Sequence, residues 1–235
     1  MTLDLHVFPD VDALAEAAAT DIAVVLRRAV RESGEASLVL TGGTTPEKVY
    51  RALATRDVPW AHVSLFFGDE RAVPPGDDGS NYKMAHASLL ANLPAEPKRV
   101  ERMQGEVADL EQEAVRYAAV LPEHVTLLLL GVGEDGHIAS LFPGLPEAHE
   151  TARAVVVVRN SPKPPPTRLT ITPAVVARAR TLFVIAAGAA KKDALHGALA
   201  VTDSALPLAL ARRASFYLDA AAASRLETES TAGSQ

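Results

Sequence analysis

LLLLGVGEDGHIASLFPG, residues Leu127 to Gly144, joins an unbroken apolar run to a glycine-rich turn that carries an Asp and a His two positions apart. Four leucines bounded by turn residues read as a strand buried on both faces, the kind found in a parallel sheet covered by helices. The glycines let the backbone turn sharply and approach a ligand closely. Asp135 and His137 therefore fall at the carboxyl end of a strand, where α/β sheets bind small molecules. The same stretch contains a complete GxGxxG: Gly131, Gly133 and Gly136. A dinucleotide fingerprint needs a helix opening at the last glycine and an acid about 20 residues further on. Here Pro143, Gly144 and Pro146 leave room for at most about two helical turns. The region where the acid belongs reads AVVVV, and Glu134 and Asp135 would repel a pyrophosphate. The glycines serve a tight turn, not a nucleotide cradle.

Outward from this segment, strands and helices alternate. Val11 to Arg31 has apolar residues at helical spacing behind a capping Asp10. Ser37 to Thr41 is a short strand, and Pro46 reads as the first residue of a helix continuing through Glu47 to Thr55. Val63 to Phe67 is a second strand, Val125 to Leu130 a third, and Thr181 to Ala187 a fourth, with Ser215 to Leu218 a last short one. Asn81 to Ala91, Val107 to Leu121 and Ala190 to Ala200 read as helices. Ala154 to Val158 and Leu169 to Thr172 are candidate strands flanking a proline-rich loop. The pattern predicts an α/β fold with a mostly parallel sheet covered on both faces. No composition break marks a domain boundary, so one domain is expected over residues 1–223. Ala220 to Gln235 is expected to fray, with 224–235 as a flexible tail.

The chain has 235 residues, 48% of them hydrophobic, which is ample for a sizeable core. Twenty-three Lys and Arg against 29 Asp and Glu give a formal charge of −6, which argues against a nucleic-acid binder working by general charge attraction. There is no cysteine, so disulfides and thiolate chemistry are excluded, and a cytoplasmic location is expected. The first residues carry acids and no continuous apolar core, unlike a signal peptide. No stretch approaches the roughly 18 apolar residues of a membrane span. No His and carboxylate set has metal-ligand spacing, and neither a metal nor a cofactor is expected.

Four strands each end in an unusual polar cluster: GGTTP, GDER, GVGEDGH and GAAKK. In a parallel sheet these clusters meet at one edge, and together they are far more specific than any one alone. Gly42, Gly43, Thr44, Thr45 and Pro46 open a helix straight after a strand, a favourable place for an anion, although a tight turn with a threonine cap needs the same residues. Arg71 in Asp69-Glu70-Arg71 has the forked guanidinium that suits a phosphate, with an acid to hold it, or else the triplet is a structural ion pair. Asn81 reads first as a turn and cap residue, and second as a ligand contact. Asp135 and His137 are the acid–base candidates, since an imidazole titrates near neutrality and can take and return a proton. The other six histidines lie in surface-like or helical contexts. Lys163 and Arg168 sit on the stiff PKPPPTR loop, which suits a binding loop or a plain linker. Lys191 and Lys192 open a helix, where a cation opposes the helix dipole unless an anion is near.

These segments resemble the 6-phosphogluconolactonase family. TGGTTP at Thr41 to Pro46, GDERAVP at Gly68 to Pro74 with Ser80-Asn81 after it, LGVGEDGHIASLFPG at Leu130 to Gly144, PKPPPTRLTIT at Pro162 to Thr172 and the closing FYLDAAAA at Phe216 to Ala223 occur in the family's order over nearly the whole chain. The resemblance implies a Rossmann-like three-layer α/β/α sandwich of the sugar-phosphate isomerase and deaminase type that does not bind NAD. It also implies hydrolysis of 6-phospho-D-glucono-1,5-lactone, with His137 as base and Asp135 orienting it or the sugar. Gly42, Gly43, Thr44, Thr45, Arg71, Asn81, Lys163, Arg168 and Lys191 would then form the substrate and phosphate site. The oxyanion donors are expected from the Gly131 to Gly136 loop. The rival is glucosamine-6-phosphate deaminase, which shares the GxGxDGH loop and is associated with Ile at position 138. That family continues into an asparagine–glutamate–proline segment, whereas this chain has Ser140-Leu141-Phe142-Pro143. A non-catalytic sugar-phosphate sensor is the third reading. Oligomeric state is not legible.

Overall fold

The computed structural model describes residues 3–226. In chain order the elements are β1 (Asp4–Phe8), α1 (Val11–Ser33), β2 (Ala36–Leu40), α2 (Thr44–Leu53), β3 (Val63–Phe67), β4 (Asp69–Arg71), α3 (Asn81–Ser88), β5 (Arg99–Val100) and α4 (Leu110–Val120). There follow β6 (Leu127–Gly131), β7 (Val155–Val158), β8 (Arg168–Ile171), α5 (Pro173–Arg178), β9 (Thr181–Ala186), α6 (Lys192–Leu199), β10 (Ser215–Asp219) and α7 (Ala220–Ala223). Seven strands form one sheet in the order β1-β10-β9-β6-β2-β3-β5, and every pairing in it is parallel.

The leucine run explains the layering. Successive side chains of a strand point to opposite faces. Leu128 and Leu130 enter one core with Val39, Phe66 and Val184. Leu127 and Leu129 enter the other with Leu38, Leu40 and Phe67. A strand at the centre of two cores must be apolar at every position, as this one is. Helix α1 closes one face with the buried stripe Leu14, Ala18, Ile22 and Leu26. It starts on Asp10, whose carboxylate accepts the N–H groups of Asp12 and Ala13, and ends on Gly34 at φ +81°. That left-handed turn favours glycine. Among the described residues no helix is long and apolar enough to cross a membrane.

Several elements depart from the sequence-based expectation. Strand β1 was not expected, because Asp4 and His6 break its apolar pattern; it is an edge strand that pairs with β10. The candidate strands around the proline loop, β7 and β8, lie outside the parallel sheet. They form an antiparallel pair that β4 joins, so Asp69-Glu70-Arg71 is a strand of a second sheet rather than a loop. Helix α2 begins at Thr44, which makes Pro46 its third residue. Ala220 to Ala223 do not fray: Asp219 accepts the Ala222 N–H at 2.8 Å, and Ala222 and Ala223 are buried. Residues 227–235 of the expected tail lie outside the described residues.

Candidate active site

The four clusters do meet. Strands β9, β6, β2 and β3 are neighbours and parallel, so their carboxyl ends share one edge, and the β4–β8–β7 sheet stands beside it. Between them opens a cleft of about 280 Å³ lined by Gly42, Gly43, Arg71, Asn81, His137, Lys163, Arg168 and Lys191 among others. A smaller adjoining hollow of about 120 Å³ carries Thr44 and Thr45 and shares Gly43 and Lys191. A larger cavity, about 430 Å³, lies at the opposite, amino-terminal strand ends. There Lys98 is paired with Glu35, Arg99 donates to the Val120 carbonyl and His124 meets the Arg178 carbonyl. Chemistry rather than size places the site at the carboxyl edge.

The turn after β6 is built to hold the imidazole. Gly133 N–H donates to the His137 carbonyl at 2.8 Å, and Gly136, at φ +82°, donates to the Gly133 carbonyl at 3.0 Å. His137 Nδ1 lies 2.5 Å from Asp135 Oδ1. A carboxylate only accepts, so Nδ1 carries the proton and Nε2 is left with its lone pair. The ring also packs against Phe142, with centroids 4.5 Å apart. Burial pushes the His137 pKa below its ordinary value, with Asp135 opposing the shift. Burial alone would raise Asp135, but the His137 charge and its hydrogen bonds outweigh that and hold the carboxyl low. At neutral pH the pair is a neutral imidazole oriented by a carboxylate, the arrangement a general base needs.

The neighbouring strand end supplies an anion cradle. Gly43, at φ +115°, caps α2 without any side-chain hydrogen bond. Tyr50, wholly buried, reaches back from α2; its hydroxyl accepts the Thr41 N–H and donates to the Thr41 carbonyl, both at 2.8 Å. A Cβ on Gly42 would sit 2.1 Å from Asn81 Oδ1, so the glycine is required by close approach. Asn81 is first a structural residue: its Nδ2 donates to the Asp69 carbonyl at 2.9 Å and to Asp69 Oδ1 at 3.0 Å.

The charged triplet divides its roles. Glu70 is buried and accepts the N–H groups of Arg71, Asn81 and Tyr82 and the Ser80 hydroxyl, which pins the start of α3. Burial raises its pKa against those four bonds. Arg71 Nη1 donates to the Gly79 carbonyl, while its buried Nε has no hydrogen-bond partner among the described residues. Arg168 is buried on β8 over the Phe142 ring at 5.5 Å, and Nη2 donates to the Lys163 carbonyl at 3.0 Å. Burial lowers its pKa, with Asp69 opposing. Lys191 Nζ stands 4.0 Å from Glu134, and burial lowers its pKa as well.

All eleven residues picked from the sequence thus converge on one edge, with Asp135 held behind His137. Within the Gly131 to Gly136 loop, the N–H groups of Gly131, Gly133 and Gly136 donate to Thr41 Oγ1, the His137 carbonyl and the Gly133 carbonyl. The Ile138 side chain is wholly buried in the core. Sequence reasoning missed Ser140 and gave Asp69 no role of its own; both are buried in this wall. The only local signal was a polar residue between apolar Ala139 and Leu141.

A parallel seven-stranded sheet with an acid–base pair and a basic cleft at its carboxyl edge defines an α/β enzyme for a small anionic substrate. The sequence matches the family described as glucosamine-6-phosphate isomerases/6-phosphogluconolactonase over residues 9–218, and the chain belongs to that family. It is 38% identical over 220 residues to a 6-phosphogluconolactonase of Mycobacterium leprae, covering 87% of this chain and 89% of that protein. It is 40% identical over an alignment of 248 residues to one from Streptomyces coelicolor, covering 96% and 95%. The fold superposes on the solved 6-phosphogluconolactonase of Trypanosoma brucei with a TM-score of 0.83 at 29% identity, covering 96% and 99%.

Proposed function

We propose that this chain hydrolyses 6-phospho-D-glucono-1,5-lactone to 6-phospho-D-gluconate, the lactonase step of the oxidative pentose phosphate pathway. The observation that carries the reading is the Asp135–His137 pair, with Nδ1 engaged at 2.5 Å, opening onto a cleft whose other walls bear Arg71, Lys163, Arg168 and Lys191. Membership of the family and the named lactonases among its relatives support the substrate. The phosphate binds at Gly43, Thr44 and the start of α2, with Arg71, Arg168 and Lys191 as its cations. Nε2 of His137 takes a proton from water while the water oxygen bonds to C1. The tetrahedral oxyanion then collapses, the C1–ring oxygen bond breaks, and the imidazolium returns the proton to that oxygen. Asp135 stabilises the imidazolium formed in between. A single-step water attack needs no covalent nucleophile on the protein.

The test generates the lactone in place and follows its loss against the spontaneous rate, with ammonia release from glucosamine-6-phosphate measured in parallel. Lactone loss that disappears in His137→Ala, in a protein that still folds, is the expected result. Ammonia release favours the deaminase, binding without turnover favours a sensor, and either outcome overturns the proposal.

A further inference from the structure

Asp69 and Arg168 carry opposite charges and are 5% and 4% exposed in the wall of the cleft. They meet through the hydroxyl of Ser140, which is 0% exposed. Ser140 Oγ donates to Asp69 Oδ2 at 2.6 Å, a short bond of the charge-assisted kind. A hydroxyl has one proton, so its lone pairs are left for donors. Arg168 Nη1 fills one of them at 3.4 Å. The other Asp69 oxygen accepts Asn81 Nδ2, and the carbonyl end of that amide faces Gly42. One chain of hydrogen bonds therefore runs along the wall of the cleft from the Arg168 guanidinium through Ser140 and Asp69 to Asn81, which packs against Gly42, with every donor directed toward Asp69.

The backbone around Ser140 is held for this purpose. Ala139 has φ +48°, a left-handed conformation that an L-residue adopts only when its surroundings impose it. The imposition comes from Ser140, whose N–H donates to Thr170 Oγ1 at 3.1 Å while its hydroxyl is tied to Asp69. The turn is closed by the Leu141 N–H on the Ile138 carbonyl at 2.9 Å. The segment that follows the catalytic His137 is thereby fastened to both β4 and β8. Arg168 also donates to the carbonyls of Lys163, Pro164 and Pro165. Those bonds hold one edge of its guanidinium, and Ser140 holds Nη1.

We propose that Ser140 is a positioning residue for the phosphate clamp: its hydroxyl transmits the place of the Asp69 carboxylate to the Arg168 guanidinium. This rests on the lactonase reading in that it takes Arg168 to bind the substrate phosphate. Ser140 is fully buried and touches neither substrate nor reacting atoms, so its effect appears in binding. Removing a hydrogen bond to a charged group changes an equilibrium by about tenfold or more.

The experiment is a double-mutant cycle on the full chain with Ser140→Ala, Arg168→Gln and both together. It reads KM and kcat for lactone hydrolysis and, independently of turnover, the calorimetric affinity for 6-phosphogluconate. Ser140→Ala is expected to raise KM and the dissociation constant about tenfold with kcat within about threefold, and to add less than about twofold once Arg168 is already Gln. An unchanged affinity, or the same factor in both backgrounds, overturns the proposal. Ser140→Cys keeps the volume with a weaker donor and is expected to fall between serine and alanine; it serves if the alanine variant does not fold. If the unmutated protein fails to turn over the lactone, the function reading fails, while the calorimetric cycle still decides the coupling.

Discussion

Gly133→Ala isolates the geometry of the Asp135–His137 pair from the stability of the fold. Gly133 is not among the positive-φ glycines, so alanine meets no left-handed backbone strain there. A Cβ at this position would lie 2.0 Å from His137 Nδ1, 2.2 Å from Cε1 and 2.6 Å from Asp135 Oδ1. Carbon contacts settle near about 3.5 Å, so the imidazole has to move by roughly 1.5 Å. A 2.5 Å bond between Nδ1 and the carboxylate cannot survive that displacement. A positioned general base contributes about 10²–10⁴ in rate, and a misplacement of about 1 Å costs about 10². The expected result is a kcat lowered about 10²-fold, equivalent to about 2.7 kcal/mol, with KM little changed. The assay is the rate of lactone loss above the spontaneous rate, with urea unfolding of the same preparation as control. The His137 and Asp135 side chains that must move are 15% and 37% exposed, and His137 opens onto the cleft rather than the core, so stability is expected to change by less than about 1 kcal/mol. A folded variant that keeps more than about half the normal kcat would refute both the contact geometry and the assignment of His137 as base.

With His137 as the proposed base and burial holding its pKa below the ordinary 6.5, kcat/KM should stay level through neutrality and fall only as pH drops below that value; an acid limb centred above it in a pH–rate profile contradicts the burial argument. The sign for stability is the same: the unfolded chain binds this proton first as pH falls through 6.5, so the folded state loses stability from there down to the lowered pKa. Tyr50→Phe strips two buried 2.8 Å hydrogen bonds from the Thr41 backbone and leaves both groups unsatisfied. A cost of about 2 kcal/mol, or roughly 4–8 °C in Tm, is expected, together with a raised KM because Thr41 leads into the Gly42-Gly43 loop. A Tm within about 1 °C of the unmutated protein would show that water or relaxation satisfies Thr41.

Much of this architecture is written locally. Leu127 to Leu130 had to be a strand buried on both faces, because no other placement removes four consecutive leucines from water, and the glycines after them had to turn. Four polar clusters at four strand ends then located the site, since parallel strands bring like ends together. The expectation was incomplete where burial of charge is concerned. Asp69-Glu70-Arg71 reads as a polar cluster at a strand end, because charges are left in water unless partners compensate them. Its compensation comes from Asn81, Ser80 and Tyr82, and from Ser140, 71 residues away. Ile138 illustrates the converse. By sequence it stands next to His137, which lines the cleft, yet its own side chain lies in the core.

Apolar periodicity, glycine and proline therefore determined, from the sequence alone, that this chain is a parallel α/β protein whose polar clusters, Asp135 and His137 among them, gather at the carboxyl edge. Those signals work over a few residues and need no knowledge of distant contacts. Only the tertiary structure decided which Asp69 oxygen meets which donor, that three loop N–H groups are already committed, and that a serine spans a buried carboxylate and a buried guanidinium. Each of these depends on groups far apart in the chain being brought within about 3 Å, where a hydrogen bond is made or lost.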